Sequence, residues 1–374
     1  MIRWILFIIS MLLFAVGLLT VFKAPAHLNW QLSLLAGEYG HWLGVAAGVI
    51  LIYACSRRTV AGLGLATCLA ASLAVLLLFN PSVQAWWISR TLPQRMQAAF
   101  GPAQPGGAPF SFVRLFAPGP APVAVETLTY APGLGLDFYR ARGRARAACV
   151  VVVHSGGWDN GVRSELPSFD RWLAGQGYAV AAISYRLAPR DRWPAQRDDI
   201  VAAVAFLRSQ AEALGLDPER MVLFGRSAGG QLVEATAYGV PALRLRGVIA
   251  LYGPADLNFA YAFGQEDDIL KSPLLLRQFL GGAPGQAPAA YDSASAILHV
   301  TPASPPTLLM HGRLDPLVWH RQSERLAARL TAERVPHVFI SLPWATHAFE
   351  YNLQGPGGQL TTYAVGGFLA AVTK

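Results

Sequence analysis

The chain has 374 residues, more than one average domain needs, with 53% hydrophobic and only 14% charged residues and a net charge of +8. That apolar balance excludes a wholly soluble protein of ordinary composition. The basic residues are almost all arginine and are scattered without interleaved aromatics, which excludes a nucleic-acid footprint and suits anionic lipid headgroups instead; three cysteines exclude a disulfide framework.

The apolar excess sits in the first eighty residues. Runs at 2–22, 40–55 and 60–79 are expected to be transmembrane helices, since a span needs about 20 apolar residues. The first and third are long enough; the second is short unless it begins nearer Glu38. For the first run the alternative is a cleaved signal peptide, with a poor cleavage site at Ala24-Pro25-Ala26. For the other two the alternative is a buried helical hairpin, against which their length and lack of charge argue. Arg3 precedes the first run, and Arg57 and Arg58 lie between the second and third, so both sites belong in the cytoplasm and all that follows Phe79 belongs outside; Lys23 opposes this weakly. Trp86, Trp87, Arg90 and Arg95 read as an interfacial anchor. Residues 1–80 are thus a membrane region, 81–110 a juxtamembrane helix and Gly/Pro linker, and 111–374 a globular unit.

Strands and helices alternate in that unit. Strands are expected at 123–130, 134–139, 149–153, 179–185, 221–224, 247–252, 307–311 and 337–342, and helices at 169–176, 194–214, 231–238, 319–333 and 360–372. The run Cys149-Val150-Val151-Val152-Val153 suits a strand buried on both faces. The rhythm implies an α/β fold with a mostly parallel central sheet and helices on both faces.

The chemistry centres on Gly225-Arg226-Ser227-Ala228-Gly229-Gly230, which follows an apolar run and precedes an Ala/Leu/Val-rich segment. This is the pattern of a nucleophile elbow, a tight strand-to-helix turn that exposes a serine hydroxyl; alone it reads equally as a helix start with a serine cap. After the Val-rich strand comes His154-Ser155-Gly156-Gly157-Trp158, where small residues let backbone N–H groups approach an oxyanion. Asp315 follows the strand at 307–311, and His347 follows the last strand. Taken singly, Asp315 is a helix cap and His347 a loop histidine. Together, the order serine, acid, histidine is that of α/β-hydrolases, and each candidate follows a strand, so all gather at one sheet edge. No metal-ligand spacing, phosphate loop or dinucleotide fingerprint is present, so no metal or cofactor is expected.

On these stretches, together with Tyr185-Arg186-Leu187-Ala188-Pro189, Pro194 to Asp199, His311 to Pro316 and His347-Ala348-Phe349, residues 110–374 resemble the α/β-hydrolase superfamily, in its hormone-sensitive-lipase-like and bacterial carboxylesterase group. The resemblance implies an α/β-hydrolase fold and ester hydrolysis, with Ser227 the nucleophile, His347 the base and then acid, and Asp315 its orienting partner. It implies oxyanion donors at Gly156, Gly157 and Ala228, with His154 and Tyr185-Arg186 structural. Two departures stand out. Ser155 replaces a glycine, and Arg226 occupies a position where relatives often carry Asp or Glu. Arg226 either recognises an anionic group of the substrate, together with Trp158 as a substrate-binding residue, or shifts local pKa values, or points to solvent or pairs with a nearby carboxylate. Residues 254–300, with Phe259, Tyr261, Phe263, Leu274, Leu275, Leu276 and Phe279, form either a partial lid or an ordinary packed insertion.

The expected protein is therefore a multi-pass membrane esterase, by resemblance of the bacterial inner membrane, with its catalytic domain extracytoplasmic. Its partners are membrane lipids and a small-molecule or lipid ester, with no nucleic acid. Acyl transfer and peptide or arylformamide hydrolysis use the same site chemistry, and a non-catalytic tethered binding module is the alternative of another class. Oligomeric state is not legible.

Overall fold

The computed structural model describes residues 1–56, 62–102, 106–143 and 145–374; Arg57 and Arg58, and part of the expected linker at 103–105, lie outside the described residues. The N-terminal part is helical: α1 (Ile2–Leu18), α2 (His27–Glu38), α3 (Gly40–Cys55), α4 (Leu63–Ser89) and α5 (Leu92–Phe100). Among the described residues α4 alone is long and apolar enough to cross a membrane; α2 and α3, bent by 78° at their junction, pass the same test as a pair, and α1 has 17 residues. Three separate spans at 2–22, 40–55 and 60–79 are therefore not what length and composition give.

Two boundaries differ for identifiable reasons. The third run does not stop near residue 79: α4 continues through Pro81 to Ser89 and absorbs the segment expected as a juxtamembrane helix. A proline removes the N–H that would bond the carbonyl four residues earlier. Here that carbonyl, of Leu77, accepts instead from Thr20 Oγ1 at 3.0 Å, so the helix survives. The segment between the first two runs is not a simple connection. It holds α2, whose Trp30 and Glu38 reach residues more than 300 positions away.

Eight strands form one sheet in the order β1-β2-β4-β3-β5-β6-β7-β8: β1 (Glu126–Ala131), β2 (Leu134–Tyr139), β3 (Ala147–Val153), β4 (Ala179–Ile183), β5 (Leu216–Arg226), β6 (Gly247–Leu251), β7 (Thr307–Gly312) and β8 (His337–Leu342). Only β2 runs against its neighbours; every other pairing from β4 to β8 is parallel. All seven residues of β3 are buried, as its unbroken apolar run predicts. Its side chains alternate between two cores. Cys149, Val151 and Val153 face α7 (Ala195–Ser209), α9 (Ala228–Gly239) and α13 (Arg321–Ala332), which follow α6 (Pro167–Gly175) and the short α8 (Ala211–Leu214). Val150 and Val152 face α6 and the C-terminal α14 (Pro356–Val372), and Ala85 of α4 joins that second core. The insertion after β6 carries α10 (Leu257–Phe263), α11 (Ser272–Leu280) and α12 (Pro288–Ala294). The sheet reverses strand order between β3 and β5, which opens a crevice at their C-terminal ends.

Candidate active site

Ser227 sits at that crevice, between the end of β5 and the start of α9, with its backbone at φ 52°, ψ −119°. A positive φ is costly for a residue with a side chain and persists only where surroundings impose it. Here the Ser227 N–H donates to the Leu251 carbonyl at 2.9 Å, and the flanking glycines allow the turn to close. A Cβ on Gly225 would stand 2.1 Å from the Gly229 carbonyl oxygen; one on Gly229 would stand 2.2 Å from that of Val153. The second contact presses the start of α9 against the end of β3, and so brings Ala228 beside the 154–157 loop.

The histidine and acid arrive from β8 and β7. His347 Nδ1 bonds Asp315 Oδ2 at 2.6 Å, with Asp315 fully buried and His347 6% exposed. The other Asp315 oxygen accepts the N–H groups of Leu317 and Val318 at 2.8 and 2.9 Å. His311, four residues earlier, places Nε2 at 3.3 Å from Asp315 Oδ2. Burial pushes the Asp315 carboxyl up, but the charge of His347 and the bonds from His311 and His347 outweigh it, so the group is held below the usual carboxylate range. The imidazole packs on Tyr252, ring centroids 4.2 Å apart, and Tyr252 directly follows the residue that binds the Ser227 N–H. Serine and histidine are thus attached to the same strand end, β6.

Two of the oxyanion candidates sit in a tight glycine loop. Gly156 and Gly157 have φ of 111° and 59°. A Cβ on Gly156 would lie 2.2 Å from the Asn160 carbonyl oxygen, so glycine is obligatory there. His154 stacks on Tyr185 at 4.1 Å, and the Tyr185 hydroxyl donates to the His154 carbonyl at 3.2 Å, which supports the structural assignment of both. Arg186 ties the segment after β4 to α7, paired with Asp199 at 2.7 Å. Ser155 has its own reason to replace glycine: its N–H donates to Glu165 Oε2 at 2.8 Å and its hydroxyl bonds the other carboxylate oxygen.

The two substrate-binding candidates separate. Trp158 lines an apolar cavity of about 100 Å³ with Phe259, Phe263, Leu275, Leu276, Leu317, Val318 and Trp319. Leu275 Cδ2 is 2.9 Å from where a Gly157 Cβ would stand, so the cavity adjoins the oxyanion loop. Phe259, Phe263, Leu275 and Leu276 of the expected lid line it, whereas Phe279 is buried in a stack on Trp158 and Tyr261 packs on Tyr291. Arg226 is not in the cavity. Its strand position turns it to the opposite core, 1% exposed, where Nε bonds Glu350 Oε1 at 2.9 Å and the guanidinium lies 4.5 Å over the Phe224 ring. The structure has the carboxylate-pairing arrangement, and Arg226 does not line the cavity where a substrate contact was expected.

Residues the sequence did not single out complete the surroundings. The Trp30 indole N–H donates to the His347 carbonyl at 3.4 Å, and Glu38 accepts the Gly357 N–H at 2.9 Å, so α2 flanks the histidine loop and the start of α14. Lys23 lies near enough to Asp315 to feel its charge, although burial lowers its ammonium. No local pattern marks Trp30, because its partner is 317 positions away.

A serine elbow, an acid and a histidine in this order on an eight-stranded, mostly parallel sheet define the α/β-hydrolase fold. The chain belongs to the BD-FAE family, whose model matches residues 136–330. It is 28% identical over 242 residues to a Mycobacterium tuberculosis protein described as the probable carboxylic ester hydrolase LipM, covering 60% of this chain and 54% of LipM. It is 29% identical to esterase LipQ of the same organism, covering 58% and 54%. The chain thus spans about half the length of these curated relatives. Among solved structures it resembles a bacterial heroin esterase, 25% identical with a TM-score of 0.57, covering 65% of this chain and 84% of that one.

Proposed function

We propose that this chain is a membrane-anchored serine hydrolase that cleaves carboxylic esters. Ser227 Oγ attacks the ester carbonyl while His347 Nε2 takes its proton. The tetrahedral oxyanion is held by the N–H groups of Gly156, Gly157 and Ala228. His347 then protonates the leaving alcohol, and water, activated by the same imidazole, releases the acid from Ser227. Asp315 fixes the imidazole with Nδ1 as donor and stabilises its charged form. The observation that carries this reading is the 2.6 Å His347–Asp315 bond in a loop packed on the same strand end as a serine held at positive φ. Similarity to proteins named for ester hydrolysis supports the reaction class. The apolar cavity beside the oxyanion loop supports acyl chains of short or medium length.

Membrane anchoring rests on α4, a predominantly apolar helix of 27 residues, with α1 and α3 packed along it and Trp4, Leu12, Trp42, Ile52, Leu69 and Leu76 exposed around the group. The location of Arg3 supports a catalytic unit outside the cytoplasm. Substrates are then small esters or lipid esters close to the bilayer. A fluorophosphonate probe should label the wild type and not Ser227→Ala; equal labelling of both would overturn the nucleophile. A cytoplasm-only reporter at the C-terminus should stay silent, and p-nitrophenyl esters of graded length should favour short and medium chains.

A further inference from the structure

Arg226 occupies the position next to the nucleophile, yet it faces away from the cavity into the core between the sheet, α6 and α14. There its guanidinium is 5.1 Å over the Phe169 ring and 4.5 Å over that of Phe224. Its charged partner Glu350 is 124 residues later in sequence and three residues after His347. Glu350 Oε1 accepts from Arg226 Nε at 2.9 Å and from the Tyr252 hydroxyl at 2.5 Å. The ring of that tyrosine carries His347. One carboxylate therefore joins the residue preceding the nucleophile, the ring under the imidazole, and the loop that bears the imidazole. The pair is fully buried, where an arginine stays charged and a lost partner leaves an uncompensated ion.

We propose that Arg226 and Glu350 are positioning residues, a charge-matched clamp that holds the His347 loop against the elbow through Tyr252. The proposal rests on Ser227 and His347 being nucleophile and base. Arginine in the motif is then matched not to a substrate anion but to a carboxylate in the histidine loop. The clamp has an electrostatic side as well. His347 must become an imidazolium during the reaction, and a neutralised Arg226 does not oppose this. Other charged groups face the same ensemble: Asp315 and His311 from β7 and its loop, Lys23 ahead of α2, His320 ahead of α13, and Asp170 and Glu165 from α6 and the loop before it. All are retained in the variants below.

The test uses the full chain in detergent with p-nitrophenyl butyrate, reading kcat and KM across the pH range and melting by circular dichroism. Glu350→Gln removes the hydrogen-bonded counter-charge of Arg226, leaving it the charges of Asp170 and Glu165 without a bonded carboxylate. Its kcat should fall about tenfold or more with KM within about twofold, and the acid limb of the kcat/KM profile should move to lower pH by about half a unit or more. Arg226→Gln/Glu350→Gln carries neither charge; its acid limb should return to the wild-type position while kcat stays low, since the tie is still cut. Should Glu350→Gln fail to fold, the neutral double variant decides: a kcat about tenfold below wild type at unchanged KM supports the clamp, and a wild-type kcat overturns it. Folded variants with a wild-type acid limb and kcat also overturn it. A rise in KM confined to anionic esters would return Arg226 to substrate recognition. Labelling of wild-type Ser227 by the fluorophosphonate separates the two levels: no label defeats the hydrolase reading, whereas a labelled wild type with unmoved variants defeats the clamp alone.

Discussion

Asp315 and Asp170 are equally buried, both 0% exposed, yet one is held below the usual carboxylate range and the other is pushed up to about 7. Both feel burial first, which raises a carboxyl. Asp315 meets it with four polar partners, two backbone N–H groups and two imidazoles. Among the described residues neither oxygen of Asp170 has a hydrogen-bond partner, and the Arg226 charge nearby offsets only part of the cost. Burial is thus common to both aspartates, and the charge of His347 together with the hydrogen bonds around Asp315 sets them apart.

The largest effect that could break this contrast is at Asp315. Asp315→Asn keeps the shape but favours the wrong imidazole tautomer, so kcat should drop by about 10³–10⁴-fold with the fold retained. A loss below about tenfold would mean that Asp315 only caps the loop. An intermediate effect should follow His311→Gln, which removes one bond to a charged carboxylate and should lower kcat by about tenfold. The smallest concerns stability and Asp170. Its folded-state value, about 7, lies above the ordinary aspartate value of 3.8, so the folded chain binds the extra proton between them and its stability falls as pH rises through that window. Asp170→Asn should remove this slope and gain on the wild type from about pH 4 to about pH 7, as followed by denaturant midpoints; parallel curves would show that Asp170 is ionised throughout. Asp315 contributes the opposite slope, because a depressed carboxyl stabilises above the ordinary range and loses that contribution as pH falls.

The same contrast explains what was legible. Ser227, Asp315, His347 and the Gly156-Gly157 loop were readable because each follows a strand, and strand ends are local features of an apolar pattern. The sheet was readable for the same reason, with β3 the clearest case. The Asp315–His311 contact had a faint local signal, a spacing of four residues. Arg226 could be recognised as unusual but not explained, and α2 was not read at all, because neither Glu350 nor the Trp30–His347 contact leaves a short-range trace. The third apolar run extends past residue 79 through Pro81, which a local pattern does not show, because the group that satisfies the Leu77 carbonyl, Thr20, lies 57 residues earlier.

Local pattern and chain order therefore determined the α/β architecture, the serine elbow and the candidate acid and histidine. Tertiary structure alone decided that Arg226 meets Glu350 rather than substrate, that Ser155 is held by Glu165, and that α2 rests on the histidine loop. The physical reason is range: hydrophobic periodicity and turn chemistry act between neighbours in sequence, whereas buried charges are matched by whatever partner the packed core brings within about 3 Å.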